Sequence, residues 1–116
     1  MELLSKQFDL TNKVAIITGS SKGIGAAIAR GLAEYGAKVV VSSRKQAAVD
    51  AVANNLKNEG YEATGIACHV GDEAQCKNLI QQTIAVYGGI DILINNAATN
   101  PVFGPMEKVV PSFLIK

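Results

Sequence analysis

The residues best suited to chemistry lie at 18–25, Thr-Gly-Ser-Ser-Lys-Gly-Ile-Gly, where three glycines recur as Gly-x-x-x-Gly-x-Gly. A glycine-rich turn running straight into a helix leaves the helix's first N–H groups free to point at a ligand, and the helix dipole favours an anion there. The chemistry is the cradling of a pyrophosphate. Gly19 suits the tight exit from a strand, Gly23 the close approach of backbone to phosphate, and Gly25 the packing of the helix against a sheet. Ser21, Lys22 and Ile24 complete the candidate loop. A nucleotide-triphosphatase loop, with its Gly-Lys-Ser/Thr ending, is ruled out by Ile24.

A second candidate follows the next apolar run, at Ser42-Ser43-Arg44. A dinucleotide site selective for NAD places a carboxylate here, against the adenosine ribose hydroxyls. Ser43 and Arg44 stand there instead. A guanidinium can pair with a 2′-phosphate through two parallel bonds, and Lys22 adds a second positive charge. These residues predict NADP(H) as the cofactor. With each charge-assisted contact contributing roughly 1.5–3 kcal/mol, the preference over NAD reaches two or three orders of magnitude. His69 and Val70, at the end of a third run, are expected to approach the adenine ring. Asn95, Asn96 and Ala97, at the end of a fourth, are expected to line the nicotinamide ribose and tie strands together.

The elements that must position these residues are legible in the apolar pattern. The runs 14–18 and 38–42 are short, rich in Val and Ile, and do not alternate, as suits strands buried on both faces of a parallel sheet. Residues 63–70 and 90–94 supply two further strands. Between them, Ile24, Ile28, Leu32 and Tyr35 mark a helical face that Gly36 stops. Val49, Val52, Ala53 and Leu56 mark a second helix over 46–59. Asp72, with Gln75 three residues on, makes a capping-box-like start to a third, whose stripe is Cys76, Leu79, Ile80, Thr83, Ile84 and Tyr87. The pattern β-α-β-α-β-α-β implies right-handed crossovers and an α/β fold, a Rossmann-type doubly wound parallel sheet of strand order 3-2-1-4 with ligand at the strands' carboxyl ends. Its organisation is read as an N-terminal extension over 1–12, an NADP(H)-binding half-domain over 13–104, and an atypical tail over 105–116.

Composition narrows the partners. The chain of 116 residues is 48% hydrophobic and 18% charged with a formal net charge of +1. That is too apolar for disorder and offers no basic stripe for nucleic acid or anionic membranes. Cys68 and Cys76 form no CxxC and suggest neither redox motif nor metal site, so they are read as reduced thiols. The N-terminus resembles no secretory signal, and no apolar run approaches the ~18 residues of a spanning helix. The expected location is cytoplasmic.

Thr-Gly-x-x-x-Gly-Ile-Gly at 18–25 and Asn-Asn-Ala-Ala at 95–98 together resemble the short-chain dehydrogenase/reductase family over residues 8 to about 107. Val-Val-Val-Ser-Ser-Arg-Lys-Gln at 39–46, Cys-His-Val-Gly at 68–71 and Asn-Ala-Ala-x-Asn-Pro-x-Phe-Gly at 96–104 are similar to its NADPH-dependent carbonyl and retinal reductase branch. The resemblance implies hydride transfer between nicotinamide and a carbonyl carbon, with a tyrosine, its pKa lowered by a lysine, exchanging the proton. That pair occurs as Tyr-x-x-x-Lys. Here Val39, Gly65 and Asp91 stand four residues after Tyr35, Tyr61 and Tyr87, so no catalytic residue is assigned. Tyr35 with Lys38 is rejected, being remote from the nicotinamide, and Ser112 has no partner base. The tail from Met106 to Lys116 does not resemble the family's continuation. The expectation is a truncated reductase portion, inactive alone; the alternative is a partner-dependent or regulatory subunit docking onto a full-length reductase, and a stable chain is expected to self-associate or to dock onto such a relative.

Overall fold

A computed structural model describes residues 9–96 of the chain. Strand β1 (Val14–Thr18) is buried at every position, as an unalternating β-branched run between two helical layers requires. Helix α1 (Gly23–Glu34), strand β2 (Lys38–Ser42), helix α2 (Gln46–Asn58), strand β3 (Ala63–Gly65), helix α3 (Glu73–Tyr87) and strand β4 (Ile92–Ile94) follow in turn. All pairings are parallel, as the alternation of strands and helices predicts, and the order is β3-β2-β1-β4, as the Rossmann-type reading expects. The chain steps outward from β1 to β3, then returns to the other side of β1. That reversal opens a crevice at the carboxyl ends of the strands.

Two cores lie on opposite faces of the sheet. Ala15, Ile17, Val39 and Val41 pack under Ala29 and Ala33 of α1 and Val49, Ala53 and Leu56 of α2. Ile16, Val40 and Leu93 point the other way, toward Cys76 and Leu79 of α3. The alternation along each strand thus feeds both layers. Asp91 registers β4 on β1: its carboxylate accepts the Val14 N–H at 2.8 Å, and its own N–H donates to the Val14 carbonyl at 2.9 Å.

Four local expectations are corrected. The buried face of α1 is Gly25, Ala29 and Ala33, whereas Ile24 is 74% exposed and Ile28 and Leu32 pack at the flanks. Small residues bring this helix close to the sheet, which leaves no room for the larger ones beneath it. Ile84 falls outside the α3 stripe and is exposed. The third strand pairs as a ladder only over Ala63–Gly65, because β2 ends at Ser42 and turns into α2. The fourth pairs only over Ile92–Ile94. Asp72 does cap α3, accepting from Ala74 and Gln75 N–H at 2.9 and 3.3 Å. The reciprocal half of a capping box is missing, since the Asp72 N–H donates to the His69 carbonyl and Gln75 reaches His69.

Candidate functional site

The glycine loop is held from beneath by three polar side chains. The Ser20 hydroxyl, fully buried, donates to the Ile17 carbonyl at 2.6 Å and accepts the Ser42 N–H at 2.8 Å, while the Ser20 N–H donates to the Ser42 carbonyl at 3.0 Å. This continues the β1–β2 pairing after β1 has turned away at Gly19. On the other side, Thr18 Oγ1 accepts the Asn96 N–H at 3.0 Å, and Asn96 Nδ2 donates to the Gly19 carbonyl at 3.2 Å. The exits of β1, β2 and β4 are thereby tied to one loop.

The backbone of that loop requires its glycines. Gly19 and Gly23 adopt φ of 63° and 61°, the left-handed region costly for other residues. A Cβ on Gly25 would run into the Gly19 carbonyl oxygen and lie 2.6 Å from Asn96 Nδ2, so this glycine sets how closely α1 docks. Lys22 at the N-cap makes no side-chain cap bond, and no acidic residue occupies the first turn of α1. Helix α2 begins the same way, with Lys45 at an uncapped N-terminus and no acid in its first turn. Lysine is a poor N-cap, and with no capping side chain the first N–H groups of both helices are left for a ligand of negative charge, save that of Ala48, which donates to the Lys45 carbonyl at 3.1 Å.

A cleft of about 650 Å³ opens at these two helix ends, within the size range of cofactor sites. Gly19, Ser21 and Lys22 line it after β1, and Ser43, Arg44, Lys45 and Ala48 after β2. Cys68 and Val70 close it beyond β3, and Asn96 beyond β4. Seven of the residues expected from sequence meet here: Gly19, Ser21, Lys22, Ser43, Arg44, Val70 and Asn96. Gly23, Ile24 and Gly25 belong to the loop and the start of α1 without lining the cleft. Asn95 is half-buried off the wall, with its Oδ1 buried and without a partner among the described residues. Ala97 lies outside the described residues. His69 is exposed and does not line the cleft; its N–H is taken by Gln75 Oε1 at 2.8 Å and its Nδ1 by the Gly71 N–H at 3.1 Å.

Lys45, Ala48 and Cys68 reach the cleft without having been expected. Lys45 adjoins Arg44, and Ala48 sits in the first turn of α2. Cys68 carried a signal in the period of two along an extended segment, which sends Cys68 and Val70 to one side and His69 to the other. Burial pushes the Cys68 thiol up to about 12, and burial raises the neighbouring Cys76 thiol too. Neither is a nucleophile near neutral pH. Among the described residues no cluster of His, Cys, Asp and Glu is placed to hold a metal, and no helix is long and apolar enough to cross a membrane.

The family model for short chain dehydrogenases matches residues 13–112, most of the chain. The chain belongs to that family. Within the short-chain dehydrogenases, dehydrogenase/reductase SDR family member 4 of Rattus norvegicus is 50% identical over 106 residues, covering 91% of this chain and 38% of the relative. A hydroxysteroid dehydrogenase structure from Escherichia coli superposes with a TM-score of 0.74 at 36% identity, covering 76% of this chain and 37% of that one. An actinorhodin polyketide ketoreductase variant solved with NADPH gives 0.70 at 34% identity, covering 72% and 32%. The chain therefore spans less than two fifths of the length of these short-chain dehydrogenases. Its described residues form the nucleotide-binding portion of that Rossmann fold, and a nicotinamide dinucleotide fits them: an uncapped helix start behind a glycine loop, and a cleft leading away from it past three cations.

Proposed function

We propose that these residues bind NADP(H), as the cofactor portion of a reductase that converts a carbonyl to an alcohol, or the reverse. The observation that carries this reading is the run of Lys22, Arg44 and Lys45 along the cleft, with no carboxylate among its lining residues. The glycine loop and the α1 N-terminus would hold the pyrophosphate. Arg44 and Lys45, at the open start of α2, would hold the 2′-phosphate, and Asn96, which lines the cleft beyond β4, would contact the nicotinamide ribose. When bound, the nicotinamide supplies hydride. The chain's own residues orient the cofactor and exclude water from one side of it. Proton transfer calls for a Tyr-x-x-x-Lys pair that the 116 residues do not contain, so binding without turnover is expected of them alone. The relative length of the family members and the ketoreductase solved with NADPH are in keeping with this reading.

Titration of the chain with NADPH and NADH, beside Arg44→Asp, tests it. Both cations following β2 are exposed, which favours the low end of the charge-assisted range, about 1.5 kcal/mol or roughly tenfold per contact. NADPH is expected to bind at least ten times more tightly than NADH, and the substitution to erase or reverse that ratio. Equal binding of the two nucleotides would overturn the cofactor assignment. A second reading, docking onto a fuller relative, draws on β4, which pairs only with β1 among the described residues. Co-elution with such a relative in size-exclusion chromatography would favour it.

A further inference from the structure

Beyond β3 four residues, 66–69, run on before the turn at Val70 with no strand on their outer side among the described residues. Its inward N–H groups remain paired to the β2 side, Ile66 to the Val41 carbonyl at 3.1 Å and Cys68 to the Ser43 carbonyl at 2.8 Å. The outward groups are met by side chains. Gln46 Nε2 donates to the Gly65 carbonyl at 2.9 Å, and Gln46 Oε1 accepts the Ala67 N–H at 3.0 Å. A residue in a parallel strand pairs with its neighbour in this way, accepting from one N–H and donating to the carbonyl two residues before it. One glutamine side chain therefore stands in for a missing strand. Gln75 Oε1 takes the next outward N–H, that of His69, at 2.8 Å.

We infer that Gln46 and Gln75 are positioning residues for the adenosine wall of the cleft, an inference that rests on the cofactor reading above. Gln46 is the first residue of α2 and directly follows Arg44 and Lys45. By clasping Gly65 and Ala67 it ties the cationic start of α2 to the segment bearing Cys68 and Val70, which form the facing wall. The clasp sets the width of the cleft between phosphate-holding cations and adenine-facing side chains. Asp50 Oδ1 steadies the amide by accepting from Nε2 at 2.8 Å, which fixes the donor toward Gly65 and the acceptor toward Ala67. A side-chain amide carries two N–H donors and a carbonyl acceptor on one planar group, which these three bonds use. A glutamate at this place would turn a second acceptor toward Gly65 and Asp50.

The test uses Gln46→Leu, Gln46→Glu and Gln75→Leu in the full chain, with three probes. Adenosine 2′,5′-bisphosphate reports the adenosine wall, pyrophosphate followed by the Gly23 amide resonance reports the glycine loop, and NADPH reports both. Both glutamines are exposed, so the variants should fold, and the thermal midpoint is recorded for each. The bisphosphate and NADPH are expected to weaken together by roughly tenfold in Gln46→Leu and Gln46→Glu, the size of one net hydrogen bond, with pyrophosphate unmoved. A smaller loss in the same two probes is expected for Gln75→Leu. Bisphosphate affinity within twofold of the parent chain in all three variants would overturn the assignment, as would equal weakening of all three probes with a falling midpoint. If the parent chain binds neither bisphosphate nor NADPH, the cofactor reading fails first and takes this one with it.

Discussion

Helix α1 carries two glycines six residues apart that should respond in opposite directions to the same change. In Gly25→Ala the new methyl meets the Gly19 carbonyl oxygen and Asn96 Nδ2, and the former is backbone that cannot rotate away. Overpacking of this kind costs about 1–3 kcal/mol, and losing the Asn96 bond to Gly19 adds about 0.5–1.5. Alanine's better helix propensity returns only about 0.5–1 kcal/mol. The net loss is about 2 kcal/mol, which at this chain length lowers the melting temperature by roughly 8 °C. Gly31→Ala faces no atom within 4 Å, so only the propensity gain remains. A rise of about 2–4 °C is expected there. Urea unfolding followed by circular dichroism, with NADPH titration alongside, measures both. NADPH affinity should fall at least about tenfold in Gly25→Ala, because the start of α1 is displaced from the loop it completes. If Gly25→Ala melts within about 2 °C of the parent chain and binds equally well, close docking of α1 is not what shapes the site.

Three further outcomes are expected. With the Cys68 thiol raised to about 12, its thiolate fraction at pH 8 is on the order of a thousandfold below that of an ordinary cysteine. Iodoacetamide should therefore label the folded chain only at the rate of unfolding, with fast labelling at pH 8 as the contrary result. Burial also raises the Tyr87 hydroxyl, which shares a 2.8 Å hydrogen bond with Thr64. Its proton is held more tightly folded than unfolded, so its stabilisation is intact below about pH 10 and fades as pH rises beyond that. Absorbance titration should show a late tyrosine step, which Tyr87→Phe should remove. Asp72→Ala should lower stability by about 1 kcal/mol in urea unfolding, through loss of the α3 cap.

The architecture was legible because each element carries its own signal. Unalternating Val and Ile runs mark the central strands, and glycines at 36, 60 and 88 take positive φ where helices end. Strand order came with the Rossmann-type reading, since right-handed crossovers alone allow other orders. The site was legible where it is local, in the glycine loop and at Ser43-Arg44. It was not legible where one segment is held against another. Cys68 reaches the cleft through its bond to Ser43, and His69 is turned aside by Gln75, contacts formed across the fold or by a side chain that a capping reading had assigned elsewhere. The face of α1 was misjudged because large apolar residues dominate a periodicity count, while the packing is done by Gly25, Ala29 and Ala33.

The two lysines at the open starts of α1 and α2 also bear on how this chain can be improved. Standard helix optimisation would replace Lys22 and Lys45 with serine or aspartate, and by its own criterion it would succeed, because each cation now sits at the positive end of a helix dipole. The same exchanges would fill the N–H groups and remove the charge on which nucleotide selectivity is proposed to depend. Sequences chosen for thermal endurance alone should drift away from lysine at these two positions, whereas those selected for dinucleotide retention should hold it, so the pair separates a scaffold from a binder.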